Sequence, residues 1–251
     1  MRKSTMEKLR RISKTYYLRQ IVACLLVYCI FLGVPAQVAL ATPANPDVVA
    51  GSAGVNQSGN TTTVNMISAN AVINWDSLNT SASEVLEFLK ASGNFAVLNR
   101  VMQGGATQFD GSLFGNQGHI IIVNPSGIVF GPTALVQAHQ FTASALDVSN
   151  TDFMNGVYSF SGDGIGKVAN YGEITADQVA LIGKEVLNAG VIRSPGGYVL
   201  MAAGDKVLLG QEGSNVVVEI QGVTVPDAAE GIGDVINEGT VEAAGGKIVL
   251  A

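Results

Sequence analysis

From about residue 61 onward the chain is written in short apolar runs rich in Val, Ile, Thr and aromatic residues. Gly and Asn interrupt them roughly every ten residues. This spacing predicts strands joined by corners, an all-β domain. The most informative stretch is residues 118–131, GHIIIVNPSGIVFG. A β-branched run, Ile120-Ile121-Ile122-Val123, meets the turn Asn124-Pro125-Ser126-Gly127. A second run, Ile128-Val129-Phe130, follows and is closed by Gly131-Pro132. Pro125 presets φ for the second turn position, and Ser126-Gly127 supplies the small, permissive residues of a tight corner. The corner should deliver Ile128 and Phe130 into a core in register.

Two windows read less simply. Residues 42–60 are rich in Pro, Gly, Ser and Asn and predict a short lead-in segment. Residues 81–90 begin with Ser81-Ala82-Ser83-Glu84, the pattern of a helix capping box. Glu87 between Leu86 and Phe88 gives the same window the alternation of a strand.

The C-terminal third repeats itself. Asn170-Tyr171-Gly172-Glu173-Ile174 recurs 18 residues later as Asn188-Ala189-Gly190-Val191-Ile192, and 49 residues after that as Asn237-Glu238-Gly239-Thr240-Val241. Each copy is followed by a second apolar run: Val179 to Gly183, Val199 to Ala203, then Ile248 to Ala251. The pair Gly196-Gly197 returns as Gly245-Gly246. Val207-Leu208-Leu209-Gly210 and Val216-Val217-Val218-Glu219-Ile220 supply further strands. Repeats near 20 residues built from short strands and Asn/Gly corners predict a solenoid of stacked coils. The expected fold is a right-handed parallel β-helix with an N-terminal capping region. Gly at the corners would accept φ > 0, equivalent Asn side chains would stack into amide ladders, and successive strands would lie about 4.8 Å apart. The third copy stops at Ala251. A solenoid ending in mid-coil leaves an open sheet edge, so residues 42–251 are expected to be the front of a longer exoprotein.

The first 41 residues follow other rules. Arg2, Lys3, Lys8, Arg10, Arg11, Lys14 and Arg19 face a single acid, Glu7, and residues 21–34 are apolar. Ala39-Leu40-Ala41 forms an A-x-A site, so signal peptidase should cut between Ala41 and Thr42. The apolar stretch falls short of the roughly 20 residues a membrane span needs. Ile21-Val22-Ala23-Cys24 fits a lipoprotein box, but its apolar run lies after the cysteine rather than before it. Cleavage removes both cysteines, Cys24 and Cys29, which suits a chain threading a pore unlinked. It leaves 7 Lys and Arg against 19 Asp and Glu, a formal charge of 7 − 19 = −12. Such acidity argues against nucleic acid as a partner.

Five blocks in order carry a family resemblance. They are Ala71-Val72-Ile73-Asn74-Trp75-Asp76-Ser77-Leu78-Asn79, Leu98-Asn99-Arg100-Val101, the Asn124-Pro125-Ser126-Gly127-Ile128 turn, Ala145-Leu146-Asp147-Val148-Ser149 and Tyr158-Ser159-Phe160-Ser161-Gly162. Together they resemble the haemagglutination-activity, or two-partner secretion (TPS), domain of filamentous-haemagglutinin-like exoproteins of Gram-negative bacteria. The family's usual form of the turn is Asn-Pro-Asn-Gly-Ile, and here Ser126 replaces the second Asn. The resemblance implies a parallel β-helix and favours a strand over residues 81–90. The long basic start is similar to the family's extended signal peptides, which implies the Sec machinery as a first partner. It further implies that a dedicated outer-membrane β-barrel transporter recognises the domain through periplasmic POTRA domains, with Asn124, Pro125, Ser126, Gly127 and Ile128 contributing. The product would be secreted or displayed at the cell surface as an adhesin, where host or bacterial surface receptors await it.

Catalytic chemistry is not expected. His119 and His139 have no ligand-spaced companions and read as surface or edge residues. Gly162-Asp163-Gly164-Ile165-Gly166-Lys167 misses the phosphate-loop pattern, because Ser161 and Val168 stand where Gly and Ser or Thr are required. Asp147, Asp152 and Asp163 read as solvated turn residues. Arg100 and Arg193, the two arginines after residue 41, are far apart in sequence, and no cofactor or metal is implied. Trp75 reads as a core anchor of the early coils. Two other readings stay open: a stand-alone structural β-helix, and a carbohydrate-binding or carbohydrate-processing one, since β-helices host such enzymes.

Overall fold

Asn170, Asn188 and Asn237, the first residues of the three repeats, are register partners on consecutive parallel strands. Ile174, Ile192 and Val241 align in the same way, and so do Val179, Val199 and Ile248. These alignments come from a computed structural model that describes residues 42–162, 165–209, 219–221 (backbone only) and 235–251. Ala39, Ala41 and the rest of the predicted signal lie outside the described residues, as do Asp163, Gly164, Gly210 and Val216-Val217-Val218. The compact unit runs from Ala41 to Ala251.

The unit is all-β. One large sheet adds strands circuit by circuit. Its leading half runs Thr61–Trp75, Val85–Lys90, Ser112–Val123, Leu135–Ser144, Glu173–Gly183, Val191–Arg193 and Thr240–Glu242, each parallel to the last. Its trailing half stacks the end of Thr61–Trp75 with Phe95–Val101, the next three long strands, Tyr198–Ala203 and Lys247–Leu250. A second parallel sheet of five short strands closes each circuit: Thr107–Phe109, Ile128–Phe130, Lys167–Asn170, Glu185–Asn188 and Val235–Asn237. Residues 81–90 are a strand from Val85 on. Ser81 instead donates its N–H and hydroxyl to the Glu84 carboxylate, at 2.6 and 2.9 Å, with no helix following.

The lead-in expectation needs correcting. Asp47–Ser58 is a twelve-residue strand, antiparallel to Thr61–Trp75 and joined to it by the turn Gly59-Asn60. Few of its side chains are covered, so the apolar alternation that marks a strand in sequence is missing. The hairpin covers the first edge of the parallel stack, a place where an open strand would invite aggregation.

The further strand expected at Val207-Leu208-Leu209 is present as Lys206–Leu209. It does not join the parallel stack but pairs antiparallel with Tyr158–Ser161 and Glu219–Gln221 in a separate three-stranded sheet. With the five-residue helix Asn150–Met154, capped by Ser149 Oγ accepting from Asp152 N, this excursion covers the outside of the large sheet. Two apolar cores result. Trp75, Phe109, Ile120, Ile122, Phe130 and Phe141 lie in the first, inside the circuits. Leu98, Ile121, Val123, Phe153, Phe160 and Val207 form the second, between sheet and excursion. The trailing strands up to Tyr198–Ala203 are thus buried on both faces, which is why they read as unbroken apolar runs, whereas Lys247–Leu250 is largely exposed. Trp75 is a core anchor, 1% exposed, with its indole N–H donating to Asn99 Oδ1 at 3.1 Å.

Three of the corner glycines are there for another reason than the one expected. At Gly172, Gly190 and Gly239 no positive φ occurs. A Cβ at Gly172 would strike Ala134 O, at Gly190 it would strike Gly172 O, and at Gly239 it would strike Gly190 O. These positions need Gly because each corner backbone rests on the one before it. The positive φ expected of corner glycines is found at Gly127, Gly196 and Gly245.

Candidate functional site

The turn after Ser112–Val123 is closed by its own bonds. Gly127 N donates to Asn124 O at 2.9 Å, and Ser126 N donates to Asn124 Oδ1 at 2.9 Å. Asn at the first position, Pro at the second and Gly at the fourth is the composition a type I turn favours. Asn124 is 2% exposed and ties this corner to the previous circuit. Its Nδ2 donates to Gly105 O at 3.0 Å and to Thr107 Oγ1 at 2.9 Å. Gly127, at φ 110°, lies against the Lys167 backbone, and a Cβ on Gly166 would meet Pro125 O at 2.6 Å. Ile128 and Phe130 are fully buried, as the corner reading expects.

Burial therefore divides the predicted site. Asn124, Gly127 and Ile128 face inward and serve the stack, whereas Pro125 and Ser126 form an exposed tip. The tip borders a surface groove of about 260 Å³ lined also by Arg100, Met102, Gln103 and Asp147. Met102 is 55% exposed there.

Arg100 organises the region around the groove. Its Nε meets Asp147 Oδ1 at 2.9 Å, and Nη2 donates to Val148 O at 2.7 Å. Nη1 donates to Asn150 Oδ1 at 2.9 Å, with a longer reach of 3.4 Å to Asn74 Oδ1. Asp147 also exchanges backbone hydrogen bonds with Ser161. The five blocks quoted from the sequence, dispersed over 90 residues, thus meet around one patch: Asn74, Arg100, the 124–128 turn, Asp147 and Ser161. Asp147 is not the solvated turn residue expected but the acid of an ion pair. Sequence reasoning missed Arg100 as its partner because only the stacking of circuits brings them together.

His119 also departs from expectation. It lies on Ser112–Val123, a strand flanked on both sides, and its Nδ1 is buried without a hydrogen-bond partner. Its Nε2 is 3.0 Å from Thr142 Oγ1, and the ring packs edge-on to Tyr158 at 4.9 Å. Burial, aided by the charge of His139, pushes the His119 pKa down from 6.5 to about 3. His139 remains partly exposed, with Nδ1 2.9 Å from Asp177 Oδ2. Among the described residues no three His, Cys, Asp or Glu gather as metal ligands.

A stack of parallel circuits bearing these blocks defines a secretion domain of an exported protein. Residues 39–249 match the TPS secretion domain family, and the chain belongs to it. The heme/hemopexin-binding protein of Haemophilus influenzae is 26% identical over 245 residues, covering 91% of this chain and 26% of that protein. The crystal structure of the HMW1 secretion domain from Haemophilus influenzae superposes with a TM-score of 0.68 at 31% identity, covering 82% of this chain and 55% of that one. The chain thus spans about a quarter of the curated relative and just over half of the solved one. Secretion domains of this family belong to secreted and cell-surface proteins.

Proposed function

We propose that this domain hands an exoprotein to a dedicated outer-membrane β-barrel transporter, whose periplasmic POTRA domains read the turn Asn124-Pro125-Ser126-Gly127-Ile128. Residues 1–41 act as a signal for the Sec machinery and are cut after Ala41, so the domain enters the periplasm as residues 42–251, the N-terminal part of a longer chain. The circuits then wind as a right-handed parallel β-helix outside the cell. The role is one of binding rather than catalysis, and the passenger that follows is an adhesin meeting surface receptors.

One observation carries this reading: the exposed tip sits on a turn whose closing bonds are local, Ser126 N and Gly127 N donating to Asn124, apart from the bonds by which Asn124 Nδ2 ties the corner to Gly105 and Thr107. Such a turn keeps its shape in a chain whose circuits have not yet stacked. A partly unfolded domain can therefore present Pro125 and Ser126 to the transporter. Solenoid stability is approximately a sum over circuits, so each circuit that closes outside resists return.

The test separates recognition from folding. Pro125→Ala combined with Ser126→Lys should cut secretion through the co-expressed transporter while leaving the urea midpoint of the purified domain nearly unchanged. Undiminished secretion of this variant removes the turn as the recognition element.

A further inference from the structure

Glu84 is a carboxylate with no cation. It is 5% exposed, and none of the ion pairs among the described residues includes it. Its partners are neutral donors: Ser81 N and Ser81 Oγ on Oε2, and Thr42 Oγ1 on Oε1 at 2.5 Å. A buried ionised carboxylate without an opposite charge is costly, and such groups are ordinarily paired.

The third partner is the telling one. Thr42 is the residue that cleavage after Ala41 would make the new N-terminus. Pro43 beside it is buried, and Ala44 is pinned by Ala44 N to Ser77 O at 2.9 Å and Asp76 N to Ala44 O at 3.0 Å. The segment is thus held against the early circuits immediately after the carboxylate contact. Standard bond lengths put the Thr42 nitrogen within about 6 Å of Glu84 Oε1 wherever Oγ1 touches it. In the precursor that nitrogen is a neutral amide. Once the Ala41–Thr42 bond is hydrolysed it is an ammonium group, inside the range where opposite charges stabilise each other.

We infer that the Glu84 carboxylate is the receptor for the α-ammonium group of processed Thr42, so that signal removal supplies the missing charge of the N-terminal cap. The inference rests on the cleavage site proposed above. It makes the cap weaker in the precursor than in the mature chain, which keeps the domain loose until the signal is gone. The pairing joins the chain's first mature residue to the turn that opens Val85–Lys90, 42 residues later.

The experiment uses the chain exported and processed by signal peptidase, its first residue read by mass spectrometry. Half of the sample is acetylated at the α-amine in urea near neutral pH, where that amine reacts ahead of lysine, and refolded. The blocked chain should lose on the order of tenfold in its folding equilibrium constant, read from urea midpoints, and the loss should vanish in Glu84→Gln. In the folded wild type the α-amine should also resist acetylation, and in Glu84→Gln it should react. If the glutamine variant does not fold, the wild-type comparison of free and blocked chains still decides. A chain starting at Thr42 with equal midpoints and a freely reactive amine overturns the ion pair and leaves the cleavage site standing. A chain starting elsewhere overturns the cleavage site itself and the pairing with it.

Discussion

Asn188 accepts a hydrogen bond from Asn170 Nδ2 at 2.8 Å and passes one from its own Nδ2 to Asn237 Oδ1 at 2.8 Å. The chain of amides runs along the stacking direction. Asn170 and Asn188 are fully buried within it. Asn170 also closes its own corner, Nδ2 reaching Gly172 O at 3.3 Å and Oδ1 accepting from Gly172 N at 3.2 Å, whereas Asn188 Nδ2 reaches across to Thr240 O of the next circuit at 3.3 Å. The ladder therefore ties each corner to the next, and Asn170 and Asn237 close their own corners as well.

Removing the middle of the ladder should cost more than removing its end. Asn188→Ala leaves the Asn170 amide without its main acceptor in a buried setting, a loss of about 1–3 kcal/mol. Asn237→Ala takes the acceptor from Asn188 Nδ2, but at an exposed position where water can replace it, and should cost less than about 1 kcal/mol. Urea denaturation of the two variants gives the comparison, and equal losses would contradict the ladder.

The stacked glycines should rank by what lies against them. Gly190→Ala drives a methyl group into Gly172 O, backbone that cannot turn aside, and should destabilise by about 1–3 kcal/mol or more. Gly104 has positive φ but open space around it, so Gly104→Ala should carry only the backbone cost of about 1 kcal/mol. Thermal melts of both variants test the order.

His119 makes stability fall in acid. Its folded pKa, about 3, lies below the ordinary 6.5, so the unfolded chain binds a proton that the folded chain refuses. The neutral ring is no handicap above pH 6.5. Stability is then lost as pH falls from about 6.5 towards 3, at on the order of 1 kcal/mol per pH unit. His119→Gln should flatten the dependence of the urea midpoint over that window. A folded-state titration of the His119 ring near 6.5, followed by NMR, contradicts this.

Arg100→Lys tests how the excursion is held. Lysine keeps the charge but not the fork that spans Asp147, Val148 O and Asn150, and Asp147 is 43% exposed, so solvent screening limits the Coulomb part. The expected loss is about 1–2 kcal/mol, mostly hydrogen bonding. Its signature is faster protease cutting within residues 145–162, with the circuits intact. Unchanged cutting there would show that the two apolar surfaces alone hold the excursion.

Much of this fold could be read from the chain because parallel stacking writes itself repeatedly. Asn170, Asn188 and Asn237 recur, so their ladder was legible, and Ile120-Ile121-Ile122-Val123 announced a strand running into the turn. Lys206–Leu209 was legible as a strand but not as an antiparallel one off the stack, because an apolar run looks the same whether it stacks as a circuit or lies across one. Asp47–Ser58 escaped notice because its exposed Gly and Ser leave no alternation. The site was legible as a turn, and the family blocks were legible as blocks. Their meeting around Arg100 was not, since it depends on circuits of unequal length being laid over one another. Thr42 and Glu84 are likewise 42 residues apart, and no local pattern joins them.

Recognition through the Pro125–Ser126 tip is most directly tested by affinity. The dissociation constant of the transporter's purified periplasmic domains should be measured against residues 42–251 held in mild urea, with and without Pro125→Ala and Ser126→Lys. Binding weakened about tenfold or more by the pair of substitutions, as for central interface residues, is the predicted result. An unchanged constant would contradict it.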